Sequence, residues 1–222
     1  MVRLLFRALT AFLIGLATVA SLLFLPAGTL RYANGWLFIG LLFIPILLFG
    51  AVLFVKAPNL LRKRLNAKEK ENTQKGVVAL SALLFLGGFI VAGLDYRFGW
   101  SRVPAWAVAA SSIVLLVSYA LYAEVMRENA YLSRTIEVQD GQHVVDTGLY
   151  GIVRHPMYAA TIWLFLSIPV VLGSWWSLLI FSPYVLVIVV RIVNEEKVLS
   201  EGLAGYTEYK KRVKYRLLPF VW

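Results

Sequence analysis

Cysteine is absent from the 222-residue sequence, and histidine occurs only twice, at His143 and His155. Disulfide bonds, thiolate metal sites and cysteine nucleophiles are therefore excluded, and we expect no metal site. Charged residues are also scarce, at 15% of the chain, whereas 60% of the residues are hydrophobic and the mean hydropathy is +0.74. Because a soluble domain carries about 25% charged residues, this composition indicates a membrane protein.

Five stretches without a charged residue are long enough to cross a bilayer, since a spanning helix needs about 20 apolar residues. They cover residues 8–30, 32–55, 76–94, 103–123 and 155–190. The last stretch is long enough for two short crossings, with a break at Gly173 and Ser174 followed by two interfacial tryptophans. The sequence therefore predicts an all-α, multi-pass transmembrane bundle with short cytosolic helices. About six crossings are expected, the last two forming a hairpin over residues 155–193.

Basic residues are distributed unevenly between the two ends of this predicted bundle. Nineteen of the 22 lysines and arginines fall at one end, and Arg31, Arg97 and Arg102 fall at the other. Lysine and arginine accumulate on the cytoplasmic side of membrane proteins, so both termini are expected in the cytosol. This orientation, together with contact with anionic lipid, accounts for the net charge of +10. We therefore expect the lipid bilayer, and not nucleic acid, as the partner of the basic residues.

The chain divides into two predicted regions. Residues 1–123 hold the first four crossings and a basic cytosolic loop at 56–75, and residues 124–222 hold a polar linker, the hairpin and a C-terminal amphipathic segment. In that last segment, Tyr206, Tyr209 and Val213 share one helical face. The polar stretches before and after the hairpin are expected to meet on the cytosolic side. A polar active site is therefore expected there.

Two motifs occupy these polar stretches. The Arg-His-Pro sequence at 154–156 opens the hairpin, where proline suits the first turn of a helix and the helix N-terminus favours an anion. The same sequence also suits a simple membrane boundary. Arg191 and Glu195 are four residues apart and share one helical face, as a helix-end ion pair would. Glu195 and Glu196 together form a carboxylate pair that suits a cation.

Taken in order, these motifs resemble the isoprenylcysteine carboxyl methyltransferase family. This family is part of a wider group of small integral membrane methyltransferases that also act on phospholipids and thiols. The resemblance covers residues 131–220 and rests on Gly148-x-Tyr150-x-x-x-Arg154-His155-Pro156-x-Tyr158, on Arg191-x-x-x-Glu195-Glu196 and on Gly205-Tyr206-x-x-Tyr209. It implies that S-adenosylmethionine binds in a cytosolic-side pocket made by the segments before and after the hairpin.

The resemblance also implies roles for particular residues. Arg191 would face the acceptor and Glu195 would hold a polar or cationic part of the cofactor, so these two are the predicted catalytic residues. The predicted cofactor-binding residues are Gln142, His143, Val144, Val145, Gly148, Leu149, Tyr150, Arg154, His155, Pro156, Met157, Tyr158, Glu195 and Glu196. The methyl acceptor is expected to be lipophilic or lipid-anchored. A prenylated cysteine carboxylate, a phospholipid amine, a small thiol and a quinone-like lipid all remain open.

Two other functions fit parts of the sequence. The Arg-His-Pro motif is similar to one in membrane sterol reductases that use NADPH, but the short cytosolic segments leave little room for a dinucleotide phosphate site. A non-enzymatic scaffold or transporter is the second alternative. A transporter would carry ionisable residues within its helices, and the charge-free stretches hold none apart from His155 at an edge. We therefore expect a membrane methyltransferase that uses S-adenosylmethionine.

Overall fold

The computed structural model describes residues 1–65, 72–129, 131–132 and 138–222. These residues form α-helices and one 3₁₀ turn without any β-strand, which confirms the all-α fold. Part of the predicted basic loop, residues 66–71, lies outside the described residues. The helices are α1 (Val2–Ala27), α2 (Ala33–Lys56), α3 (Pro58–Leu65), α4 (Asn72–Phe98), α5 (Ala105–Glu128), α6 (Pro156–Val171), α7 (Trp175–Phe181), α8 (Tyr184–Gly202) and α9 (Tyr206–Arg212), and the 3₁₀ turn spans Gly148–Gly151.

Five helical segments are long and apolar enough to cross a membrane. They are α1, α2, Gly76–Phe98 of α4, α5, and the arm Trp175–Gly202 formed by α7 and α8; α6 is apolar but shorter, at 16 residues. Large apolar side chains such as Leu13, Ile44 and Leu186 are exposed on the outside of the bundle. Because helices satisfy their own backbone hydrogen bonds, such a surface suits acyl chains. The multi-pass membrane bundle is therefore confirmed.

The predicted break at Gly173 and Ser174 is confirmed as the turn of the hairpin. Gly173 has a φ of 79°, a left-handed conformation that glycine adopts without strain. The Ser174 hydroxyl then caps α7 by accepting the backbone N–H of Ser177 at 3.0 Å. The second arm has a further break that was not predicted, between α7 and α8. Pro183 lies at this break, and its missing N–H interrupts the helical hydrogen bonding.

A buried carboxylate holds the hairpin turn against the end of α4. Asp95 is 1% exposed, and its Oδ1 accepts the backbone N–H of Ser101 at 2.8 Å. Its Oδ2 accepts the hydroxyl groups of Ser101 and Ser174. A buried carboxylate with several donors is satisfied without a counter-ion. These hydrogen bonds therefore hold the hairpin turn against the bundle. The first and last residues of the hairpin lie at the other end of the bundle.

Close helix packing around α4 depends on two glycines. A Cβ atom at Gly93 would lie 2.5 Å from the backbone oxygen of Leu23 in α1, and one at Gly88 would lie 2.2 Å from Cε2 of Phe181 in α7. Small residues let helices approach closely in this way. Along the other side of the hairpin, α5 packs extensively on α6. The end of α5 consequently lies beside the start of α6, where the polar segments meet.

Candidate active site

A cavity of about 90 Å³ lies at the end of the bundle opposite the hairpin turn. Its walls come from the end of α5, the segment before α6, the first turn of α6, the last turns of α8, and α9. Eleven of the residues singled out from the sequence line it: Gln142, His143, Val144, Val145, Tyr150, Arg154, His155, Met157, Tyr158, Arg191 and Glu195. The two polar stretches on either side of the hairpin therefore do meet.

Four predicted cofactor-binding residues are not part of this lining: Gly148, Leu149, Pro156 and Glu196. Seven lining residues were missing from the predicted set: Asn129, Tyr131, Leu132, Leu199, Leu203, Tyr206 and Tyr209. Leu199 follows Glu195 by four residues, so helical spacing gave a usable signal for it. The shared helical face of Tyr206 and Tyr209 gave a second usable signal, for these two residues. The residues just after α5 carried no comparable signal.

A row of three polar side chains forms one wall of the cavity. The Nε of Arg191 donates a hydrogen bond to the hydroxyl oxygen of Tyr158 at 2.8 Å. That hydroxyl in turn donates to Oε2 of Glu195 at 2.5 Å. The guanidinium group also lies 5.9 Å from the centre of the Tyr158 ring. Tyr158, from α6, therefore bridges the two α8 residues that the sequence placed on one helical face.

A buried ion cluster lies next to the cavity and is centred on Glu196, which is 6% exposed. Its Oε1 accepts from Arg154 Nε at 2.7 Å and lies 3.3 Å from Nε2 of His155. Its Oε2 accepts from Arg216 Nε at 2.9 Å. Charge-assisted bonds of this kind are the strong ones. Glu196 thus joins the start of α6 to the C-terminal segment.

Further hydrogen bonds to backbone groups connect the start of α6 with the C-terminal segment. The Nη1 of Arg154 donates to the carbonyl oxygens of Val213 at 2.7 Å and Lys214 at 2.8 Å. The backbone N–H groups of Arg154 and His155 donate to the carbonyl oxygens of Tyr215 and Arg216, each at 2.9 Å. The Arg-His pair is therefore fastened to the C-terminal segment, while both side chains still line the cavity.

The 3₁₀ turn before α6 is held by the end of α5. Glu128 accepts the backbone N–H of Leu149 at 3.0 Å, and a Cβ atom at Gly148 would lie 1.5 Å from Glu128 Oε1. A side chain there would force the Glu128 carboxylate to move, and the φ of 52° also favours glycine. The turn in this way presents Tyr150, whose hydroxyl oxygen accepts from Asn129 Nδ2 at 3.0 Å. Burial raises the pKa of the Tyr150 hydroxyl, so it stays protonated at neutral pH.

Aromatic and aliphatic side chains form the opposite wall. Tyr206 and Tyr209 of α9 are buried and pack with Leu203 and with Val144. The hydroxyl of Tyr209 donates to the carbonyl oxygen of Tyr150 at 2.7 Å. Such a wall suits a flat, partly polar ring system. The predicted amphipathic C-terminal helix therefore closes the cavity with its buried face.

The cavity offers charged and aromatic groups. Glu195 supplies a carboxylate, and Arg154 and Arg191 supply guanidinium groups. Within the part of the chain that the structure describes, no group of three or more His, Asp or Glu side chains is placed to hold a metal ion. The arrangement can bind a ligand that carries both a cation and an anion.

These features define a multi-helix membrane protein with a polar site at one end of its last hairpin. Residues 104–204, from the start of α5 through the whole of α8, match the phospholipid methyltransferase family. This is a family of membrane methyltransferases that is related to the isoprenylcysteine carboxyl methyltransferases. The resemblance inferred from the motifs is thereby confirmed.

A bacterial protein shows a similar, partial likeness. Over 98 residues, or 44% of this chain, the sequence is 31% identical to "Uncharacterized protein YpbQ" of Bacillus subtilis (strain 168). The match spans 58% of the length of that protein.

Proposed function

We propose that the protein is a membrane methyltransferase that binds S-adenosylmethionine in this cavity and methylates a lipophilic or lipid-anchored acceptor. The observation that carries the proposal is the row of Arg191, Tyr158 and Glu195 on the cavity wall. All three residues lie within the segment that matches a methyltransferase family. The row combines a cation and a carboxylate at the site where the two polar segments meet.

The chemistry of the lining fits this cofactor. S-adenosylmethionine carries an ammonium, a carboxylate, a sulfonium and an adenosine group. Glu195 is the one carboxylate among the described lining residues and suits the ammonium, while Arg154 suits the carboxylate. The ring faces of Tyr150 and Tyr158 suit the sulfonium.

The cavity is smaller than a bound cofactor of this size requires. Typical ligand pockets enclose about 300–1,000 Å³, whereas this cavity measures about 90 Å³. We therefore expect its walls to move apart on binding. Binding should accordingly stabilise the protein against heat, because a ligand that binds only the folded state shifts the unfolding equilibrium.

The chain's own residues position the reactants. The bound cofactor supplies an electrophilic methyl group on a positively charged sulfur. Arg191, held by the Tyr158 hydroxyl, would orient an acceptor that is anionic or rich in lone pairs. Such an acceptor needs no strong general base, so exclusion of water and alignment of the two reactants supply most of the rate enhancement. A site without cysteine, metal or catalytic triad is sufficient for this reaction.

The membrane setting suits a lipophilic acceptor. The cavity lies beside α6 and α8, which belong to the apolar hairpin. We propose that the acceptor enters from the bilayer between helices, and that the cofactor enters from the cytosol, the side that the basic residues indicate. The family match favours this function over a nicotinamide-dependent reductase or a transporter.

Calorimetry on the purified protein in detergent tests cofactor binding. We expect S-adenosylhomocysteine to bind and NADPH not to bind. Glu195→Ala should weaken S-adenosylhomocysteine binding by about 10-fold or more, because it removes a charged partner. The matched control is Glu201→Ala on the same helix, since Glu201 is exposed and outside the cavity. Binding of NADPH alone would contradict the proposal.

Turnover tests the role of Arg191. Transfer of a radiolabelled methyl group to a lipid extract should fall by about 100-fold in Arg191→Ala, because the acceptor loses its orienting charge. Affinity for S-adenosylhomocysteine should remain within a few-fold of the wild-type value. Undiminished turnover would remove Arg191 from the reaction.

A further inference from the structure

The hydroxyl of Tyr206 is a buried polar group without a hydrogen-bond partner in the described part of the chain. Tyr206 is 4% exposed and lines the cavity. Among the residues that the structure describes, its hydroxyl oxygen is the buried side-chain polar atom for which no hydrogen-bond partner exists. Buried polar groups are nearly always paired, because leaving one unpaired is costly. An unpaired hydroxyl on a residue that lines a ligand cavity indicates a partner supplied by the ligand.

The neighbouring Tyr209 shows that the fold can satisfy such a group. Tyr209 lies three residues later in α9, lines the same cavity and is 2% exposed. Its hydroxyl donates to the carbonyl oxygen of Tyr150 at 2.7 Å. The two rings lie 5.7 Å apart between centres. Two buried tyrosines on one short helix therefore differ in whether the hydroxyl has a hydrogen-bond partner.

The Tyr206 hydroxyl is suited to donate a hydrogen bond. Burial raises its pKa above the usual value, and the charges of Glu196 and Glu195 raise it further. The proton therefore stays in place at neutral pH. The positive charge of Arg154 acts on the same hydroxyl in the opposite direction. The hydroxyl thus lies where the influence of a guanidinium group and of two carboxylates overlaps.

Arg154 indicates which kind of group would accept a hydrogen bond from the Tyr206 hydroxyl. Its Nε and Nη1 donate to Glu196, Val213 and Lys214. Arg154 also lines the cavity. A guanidinium edge and a tyrosine hydroxyl on one cavity favour an anionic oxygen acceptor. Glu195, also on this cavity, favours an adjacent cation.

We propose that the Tyr206 hydroxyl donates a hydrogen bond to the carboxylate of the cofactor's amino-acid part, beside Arg154, while Glu195 binds its ammonium group. The assignment rests on the proposed function and names the group that each end of the site recognises. The carboxylate and ammonium of an amino acid are attached to one carbon atom. Both subsites must therefore lie close together, as Tyr206, Arg154 and Glu195 do around this cavity.

Calorimetry with two ligands tests the assignment. One ligand is S-adenosylhomocysteine, and the other is its decarboxylated analogue, which lacks only the carboxylate. Tyr206→Phe should weaken binding of S-adenosylhomocysteine by about 10- to 100-fold, the effect of losing a hydrogen bond to a charged group. The affinity of Tyr206→Phe for the analogue should stay within about two-fold of the wild-type value, because the analogue lacks the carboxylate that would accept the hydrogen bond. Tyr209→Phe, the matched control, should leave the ratio of the two affinities unchanged.

Thermal unfolding without ligand separates recognition from folding. Tyr206→Phe should unfold at or above the wild-type temperature because it removes an unpaired hydroxyl. Tyr209→Phe should unfold at a lower temperature because it removes a paired one. Equal losses for both ligands, no loss for either, or a destabilised Tyr206→Phe protein would each overturn the assignment. If wild type bound neither ligand, the proposed function itself would fail.

Discussion

Replacement of Glu196 by alanine should destabilise the protein far more than the same replacement of its neighbour Glu195. Glu196 and Arg154 have side chains that are each 7% exposed and 2.7 Å apart. Without Glu196, the Arg154 guanidinium would be a buried charge with carbonyl partners only. The two adjacent glutamates offer a matched pair, because Glu195 lines the cavity and Glu196 does not.

The expected magnitude follows from burial. Breaking a buried ion pair by removing one partner costs about 3–5 kcal/mol. Arg216 adds less than about 1 kcal/mol, since its side chain is 31% exposed and water replaces part of the lost interaction. For a chain of this size, each kcal/mol shifts the melting temperature by about 2–4 °C. Glu196→Ala should therefore melt roughly 6–20 °C below wild type.

Intrinsic tryptophan fluorescence during heating in detergent measures this shift. Glu195→Ala should lose no more than about 2 kcal/mol, because it removes one hydrogen bond from Tyr158. It should instead lose affinity for S-adenosylhomocysteine. A melting temperature for Glu196→Ala within about 2 °C of wild type would refute the view that this buried cluster holds the start of α6.

Two further predictions concern other parts of the fold. Gly88→Ala should lower the free energy of unfolding by about 1–3 kcal/mol, because the added Cβ would lie 2.2 Å from the ring of Phe181 and overpack the interface. Gly87→Ala should be nearly neutral, since its Cβ would have a nearest contact of 3.6 Å. Equal denaturation midpoints for the two variants would contradict this packing. Burial raises the pKa of the Tyr209 hydroxyl in the folded protein. The protonated hydroxyl therefore stabilises the folded state fully below about pH 10, the usual tyrosine pKa. This stabilisation is lost as the pH rises through the folded-state pKa. Tyr209→Phe should therefore show a shallower loss of stability between about pH 9 and 11 than wild type, and identical pH profiles would argue against this.

The membrane-spanning helices could be predicted from the sequence because apolar length is a local property. A stretch such as residues 103–123 must form a helix in a bilayer, since no other spanning segment satisfies its own backbone hydrogen bonds. The hairpin turn was also predictable, because Gly173 and Ser174 interrupt an apolar run that is too long for one crossing. Pro183 carried a similar local signal for the second break, which the prediction overlooked.

The meeting of the two polar segments at the cavity was predictable, but the partners of their side chains were not. The Arg-His-Pro motif and the Arg191 to Glu195 spacing correctly indicated which segments meet at the cavity. The contact of Arg154 with Val213 and Lys214 joins residues about sixty positions apart. Nothing in either segment alone specifies that pairing. The unpaired hydroxyl of Tyr206 and the paired hydroxyl of Tyr209 are likewise a property of the folded cavity.

Glu195 and Glu196 show what the sequence and the tertiary structure each determine. The sequence by itself determined that two carboxylates follow an apolar helix at the basic end of the chain, because composition and spacing are read along the chain. Successive residues of an α-helix point about 100° apart. Only the tertiary structure therefore decided that one carboxylate faces the cavity through Tyr158, while the other is buried between Arg154 and Arg216.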